Sequence, residues 1–66
     1  MLDDRKAAIL AALVEDHIAS GAPVSSRAVL EHSGLTCSTA TIRNEFQVLE
    51  RDGYIAKPHA SAGRIP

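Results

Sequence analysis

Tryptophan is absent from this 66-residue chain, and one Phe and one Tyr are its only aromatic side chains. So few rings argue against a surface built to stack bases, and with Leu, Ile, Val and Ala carrying the apolar fraction the composition is that of a compact helical domain rather than an all-β one. Cysteine occurs once, at Cys37, which excludes an internal disulfide. No apolar run reaches the roughly 18 to 20 residues of a membrane span, and none has the flanks of a signal peptide, so a reducing, cytoplasmic setting is expected. A charge excess is missing too: 7 Lys and Arg face 8 Asp and Glu, a net charge of -1. Phosphate neutralisation supplies most non-specific affinity for nucleic acid, so tight binding driven by net charge alone is excluded. The length allows a single domain. A chain this short buries only about 60% of its unfolded surface, so almost every long apolar residue is needed inside.

Metal and catalytic chemistry find no purchase either. His17, His32, Cys37 and His59 form no C-x-x-C or H-x3-H pair, the spacings that converge on a zinc ion. Glu45, Glu50 and Asp52 read as residues of an exposed helix, with no nucleophile and base in view of one another. Neither a cofactor nor an enzymatic reaction is expected.

What is present is helical patterning with clear punctuation. Asp3 or Asp4 caps a first helix that runs to about Ser20 and stops at Gly21, with Ala7, Leu10, Leu13, Val14, His17 and Ile18 predicted on one buried face. Pro23-Val24 is extended by proline's restrictions and is predicted to pair with a segment near the chain end. Ser25 or Ser26 caps a short second helix, Arg27 to His32, and Ser33 to Cys37 form a tight turn with Leu35 pointing inward. Two helices joined by a glycine-containing turn, the second with a polar outer face, form the helix-turn-helix pattern.

The third helix is the most informative segment. Ser38 is its N-cap, Thr39, Ala40 and Thr41 form a small, hydroxylated first turn, and the helix continues to Asp52 before Gly53 turns the chain. With Ile42 at zero on a helical wheel, Phe46 and Leu49 fall within about 40° of it, while Ala40, Asn44, Gln47 and Arg51 lie opposite. Asn and Gln pair bidentately with adenine edges and Arg with guanine in the major groove, so Arg43, Asn44 and Gln47 are candidate readers, with Arg43 on the flank also suited to a phosphate. Ser25, Ser26 and Arg27 offer hydroxyls, backbone amides and a guanidinium to a phosphate. Tyr54 to Lys57 alternate as a short strand leading to a Pro58-to-Gly63 tip, a wing on which Lys57, His59, Ser61 and Arg64 are candidates for groove or backbone contact. Acidic residues (Asp3, Asp4, Glu15, Asp16) cluster in the first helix and basic ones in the ligand-facing segments, so the domain is dipolar and is expected to bind weakly as a monomer. The expected architecture is mainly α with a small β-hairpin, a winged helix-turn-helix spanning residues 1–66. The other reading of the same surface is a protein-protein interaction module, favoured by the net acidity and by an outward Val48.

Pro23-Val24-Ser25-Ser26-Arg27, Ser38-Thr39-Ala40-Thr41-Ile42-Arg43-Asn44-Glu45, Gly53-Tyr54, Pro58-His59 and Ser61-Ala62-Gly63-Arg64-Ile65-Pro66, in this order, resemble the N-terminal DNA-binding domain of the HrcA family, the bacterial heat-inducible transcription repressors. The resemblance covers essentially the whole chain. It departs at His17, where the family tends to carry Tyr, at Phe46, where Met is usual, and at Asp52, where an apolar residue commonly precedes the glycine. It implies a winged helix that binds double-stranded DNA at an inverted-repeat operator of chaperone operons, with repression relieved when chaperonin is drawn away. The family's dimerisation and sensor regions would follow this domain, so the homodimer and the chaperonin belong to the longer protein.

Overall fold

The described residues, 2–59 and 61–66 of a computed structural model, form three helices: α1 (Asp4–Ser20), α2 (Ser26–Ser33) and α3 (Thr39–Arg51). Each starts where a short oxygen-bearing side chain takes up an amide that has no helical partner. The Asp3 carboxylate accepts from the Lys6 N–H at 2.7 Å, Ser25 Oγ from Ala28 N–H at 3.1 Å and Ser38 Oγ from Thr41 N–H at 3.2 Å. α1 and α2 stop at Gly21 and Gly34, both left-handed, with φ of 69° and 72°. The predicted α2 was therefore one residue short at each end. α3 closes at Asp52, and Gly53 at φ 85° turns the chain away.

One apolar cluster holds these elements: Ile9, Ala12 and Leu13 from α1, Val24, Val29 from α2, Ile42, Phe46 and Leu49 from α3, and Ile55. Leu35, in the turn before α3, packs against it as anticipated, and Cys37 packs against it too.

The face predicted for α1 requires correction. Leu13 is buried and Leu10 packs against the core as expected, but Ala7 is exposed and Ile18 is 77% exposed, and Ile9 and Ala12 are buried in their place. At 100° per residue, Ile9, Ala12 and Leu13 span a sector of about 100°, and Ala7, Ala11, Val14 and Ile18 form a second stripe of about 60° on the opposite side. Both stripes satisfy helical periodicity, so the pattern alone does not say which one is inside. The fold does, because α2 and α3 offer apolar partners only to the first.

Glu45 is a second correction. It is 5% exposed and lies on the core side of α3. Arg5 Nε donates to its Oε2 at 2.7 Å, and Lys6 Nζ lies 3.2 Å from its Oε1 and 3.0 Å from Asp3 Oδ2. The hydrogen bond it donates to Glu45 holds the Arg5 guanidinium charged above its ordinary range, and Asp3 first, then Glu45, does the same for Lys6. A carboxylate at this depth needs such partners, and they come from a segment 40 residues earlier.

α2 is tied to α1 by His32, whose Nδ1 lies 2.5 Å from Asp16 Oδ1 and whose Nε2 lies 3.0 Å from Glu15 Oε2. Only the doubly protonated ring donates to both. The bond to Asp16 chiefly, with Glu15 adding to it, raises the imidazole above its ordinary 6.5. A group with a raised folded-state pKa stabilises fully below its unfolded value and loses that contribution as pH rises through the folded one. The melting temperature is therefore expected to fall as pH rises from about 6 toward 8, the window set by an unfolded histidine near 6.5 and a folded one above it. His32→Gln should flatten that dependence, and an equally steep one in the variant would remove His32 as its source.

The segment after α3 closes the domain with two isolated antiparallel bridges. Val24 and Arg64 exchange hydrogen bonds of 2.8 and 2.9 Å, and Ala56 and Ile65 exchange bonds of 2.8 and 2.9 Å. The pairing of Val24 with the chain end is as predicted, but the Tyr54 to Lys57 strand reduces to a single bridging residue. Tyr54 N–H is committed to Leu49 O at 2.9 Å, where it completes the end of α3, and Pro58 and Pro66 have no N–H with which to extend the ladder. Ala60, in the middle of the predicted tip, lies outside the described residues. Pro58 O accepts from Ser61 N–H at 3.4 Å.

Candidate nucleic-acid interface

The first turn of α3 is built as a small, polar helix start. Ser38 Oγ sits 3.2 Å from Thr41 Oγ1 as well as capping the Thr41 amide. Ser38 is exposed, and Thr39 and Thr41 are half-buried. Asn44 and Gln47 are exposed on the side of the helix away from Ile42 and Leu49, Arg43 is exposed on its flank, and Val48 is half-buried.

Between this surface, the start of α2 and the bridge segment lies an open cleft of about 330 Å³, lined by Ser25, Ser26, Arg43, Phe46, Gln47, Lys57, Ala62, Gly63 and Arg64. Its size is at the bottom of the roughly 300–1,000 Å³ range of small-molecule pockets. Arg43, Lys57 and Arg64 supply three cations, and among the described residues no carboxylate lines it. Arg64 is paired with Glu50 at 3.2 Å, and the lining still concentrates positive charge within a chain of net charge -1.

The predicted site residues therefore divide. Ser25, Ser26, Arg43, Gln47, Lys57 and Arg64, which come from three separate segments, meet in the cleft. Arg27 and Asn44 are exposed beside it on α2 and α3, and Ser38, Thr39 and Thr41 lie at the start of α3. His59 is exposed in the turn after Pro58, and Ser61 is half-buried with its Oγ accepting from Gly63 N–H at 3.1 Å.

Arg64 does not project from the tip. Its guanidinium carbon stands 5.5 Å from the centre of the Phe46 ring, Nη1 donates to Ala62 O at 2.9 Å and to Gly63 O at 3.3 Å, and its side chain is 12% exposed. Nε lies 3.2 Å from Glu50 Oε1, close enough for charge attraction although the N–H points too far off line for a hydrogen bond. Arg64 thus pins the bridge segment onto α3 and forms a cationic wall of the cleft. Phe46, as the floor beneath it, and Glu45, which fixes α3 against α1, are the contributors that helical periodicity left out of the site. The nearness of Glu45 to the core side, about 60° from Ile42, was the available signal.

Among the described residues no three His, Cys, Asp or Glu side chains gather as metal ligands would, and no helix is long and apolar enough to cross a membrane.

No family model matches the chain. It is similar along its whole length to proteins named heat-inducible transcription repressor HrcA. Identity is 56% to that of Cutibacterium acnes and 56% to that of Kineococcus radiotolerans, over 66 residues that make up 20% and 19% of those proteins. Identity to the Thermobifida fusca protein is 54%, over 19% of its length. The chain thus spans about a fifth of the length of these curated relatives. A crystal structure of a hypothetical protein at 2.2 Å resolution superposes on the whole chain with a TM-score of 0.94 and 50% identity, covering 20% of that protein.

Proposed function

We propose that this chain, which belongs to the HrcA family of heat-inducible transcription repressors, binds double-stranded DNA as a winged helix-turn-helix domain. The observation that carries the reading is the cleft in which Ser25, Ser26, Arg43, Gln47, Lys57 and Arg64 meet, with no carboxylate lining it among the described residues. Residues 38–52 lie in the major groove, with Ser38, Thr39 and Thr41 close to the backbone and Asn44 and Gln47 reading base edges. Arg43 borders the cleft and holds a phosphate at its rim. Ser25, Ser26 and Arg27 anchor a phosphate at the start of α2. Lys57, His59 and Ser61 follow the flanking backbone or minor groove, and Arg64 holds the wing at the height from which they reach it.

The target is an inverted repeat bound by two copies, and the whole protein represses heat-shock genes in the cytoplasm. Relief of repression through chaperonin rests on the longer protein. Because the domain is nearly neutral overall, affinity comes from local cations and from linkage of two copies rather than from net charge.

A palindromic duplex titrated at low salt tests this. Asn44→Ala or Gln47→Ala is expected to cost about 1–3 kcal/mol on the preferred sequence and to relax base preference, while Arg27→Ala weakens binding on all sequences and lowers the salt slope. Equal losses on every sequence for all three variants overturn the assignment of roles. Amide shifts that stay still at Thr41, Asn44 and Gln47 when the duplex is added overturn the DNA reading and favour a protein-binding surface.

A further inference from the structure

Arg64 carries its charge beside the cleft with an unfinished set of hydrogen bonds. A guanidinium has N–H donors on three nitrogens, and here Nη1 alone is used, on Ala62 O at 2.9 Å and Gly63 O at 3.3 Å. Nε is closed off from solvent and bonds to nothing among the described residues, and Nη2 bonds to none of them either. The Phe46 ring beneath and the two carbonyls at Nη1 hold the group in place. The edge formed by Nε and Nη2 is the fork with which arginine grips a carboxylate or a phosphate through two parallel bonds. In the free chain that edge is ordered and unfilled.

Glu50 stands at this edge without filling it. Its Oε1 lies 3.2 Å from Nε, but off the line of the N–H, and no hydrogen bond joins the two side chains. Glu45, one and a half turns earlier on α3, shows what a carboxylate built into this domain looks like: it is 5% exposed, accepts from Arg5 Nε at 2.7 Å and lies 3.2 Å from Lys6 Nζ. The Glu50 side chain is 40% exposed and has no other partner among the described residues. It can turn into water by rotating about its own bonds, and the Arg64 guanidinium keeps its ring and its two carbonyls when it does so.

We propose that Glu50 is a built-in competitor for Arg64: its carboxylate masks the cation in the free chain, and a phosphate of the duplex displaces it to take up the Nε–Nη2 edge. The inference rests on the DNA reading and adds to it a residue of the recognition helix that opposes binding. An ion pair this exposed and this poorly aligned is weak, so it is easily displaced. Because a phosphate contact carries no base information, the opposition is the same on every sequence, and Glu50 sets the level of affinity without altering preference.

Titration of a palindromic duplex at low salt is expected to show Glu50→Gln binding about two- to fivefold more tightly than the wild type, the range that corresponds to an exposed ion pair, on preferred and scrambled sequences alike. Asp4→Asn removes one negative charge from a position of α1 that does not line the cleft and should gain less. On an Arg64→Gln background, the gain from Glu50→Gln should shrink to that of Asp4→Asn. In the unsubstituted chain the Nε–H resonance of Arg64 should move when duplex is added, a readout that a purely structural clasp leaves still. Unchanged or weaker binding by Glu50→Gln, a gain that persists without Arg64, or an Nε–H resonance that stays fixed while the amides of Asn44 and Gln47 move would overturn the proposal and leave the DNA reading standing. A wild-type chain that binds no duplex would overturn both.

Discussion

Phe46→Ala is expected to bring the domain to the edge of unfolding. Phe46 is 1% exposed and the largest fully buried side chain, in contact with the core on one side and carrying the Arg64 guanidinium on the other. Truncating a buried phenylalanine costs about 3–5 kcal/mol, and a native domain of this length has only about 3–10 kcal/mol in total. The loss has a second part, because the cation over the ring, worth about 0.5–1 kcal/mol at a partly exposed site, no longer has a platform, and the bridge segment it pins loosens with it. Urea unfolding should show the midpoint collapsing toward zero denaturant. Phe46→Leu, which keeps most of the volume, should lose less than half as much. A loss below about 2 kcal/mol in Phe46→Ala would mean that the site closes over the cavity, and that this ring is not the centre of the core.

Gly63→Ala should detach the bridge segment while leaving the helices intact. Gly63 is buried, and a Cβ placed on it would stand 2.9 Å from Pro23 Cβ and 3.1 Å from both the Pro23 carbonyl carbon and the Val24 nitrogen. Two of these three neighbours are backbone atoms and cannot swing aside. The backbone must separate, and the bonds at stake are the 2.8 and 2.9 Å pair between Val24 and Arg64. Overpacking of this kind costs about 1–3 kcal/mol, and it falls on the segment that bears Arg64 and borders the cleft. Hydrogen exchange should accelerate at the Val24 and Arg64 amides, with those of α1 and α2 changing little, and duplex affinity should fall without a change in base preference. Wild-type protection at Val24 would show that the segment absorbs the methyl group by a rigid shift.

How far the sequence revealed all this depended on the range of the interaction. Caps and stops were legible because their chemistry is local: Asp3, Ser25 and Ser38 each satisfy an amide three residues on, and Gly21 and Gly34 stop their helices by a conformation that few other residues adopt. The inward face of α3 was legible too, since Ile42, Phe46 and Leu49 form one unambiguous stripe. α1 was not, because it has two apolar faces and periodicity cannot choose between them. Glu45 escaped notice because a buried carboxylate is justified only by Arg5 and Lys6, which the fold alone brings to it. The gathering of Ser25, Arg43, Lys57 and Arg64 from three segments was legible residue by residue, as four polar positions, but their common cleft is a property of tertiary structure. The closing strand was overstated because alternation in Tyr54 to Lys57 takes no account of Tyr54 having already given its amide to α3.

The salt-bridged carboxylate of Glu45 has one further effect, on angular registration. The stripe of Ile42, Phe46 and Leu49 sets which side of α3 is inside, and the buried charge adds to it, because Glu45 must stay against its counter-ions or be left unsolvated. Rolling α3 by the 100° that separates successive residues would part Glu45 from Arg5 and Lys6. The first two turns of α1, which line no part of the cleft, thereby act as an index pin that reinforces the apolar stripe in fixing which side chains of α3 look outward.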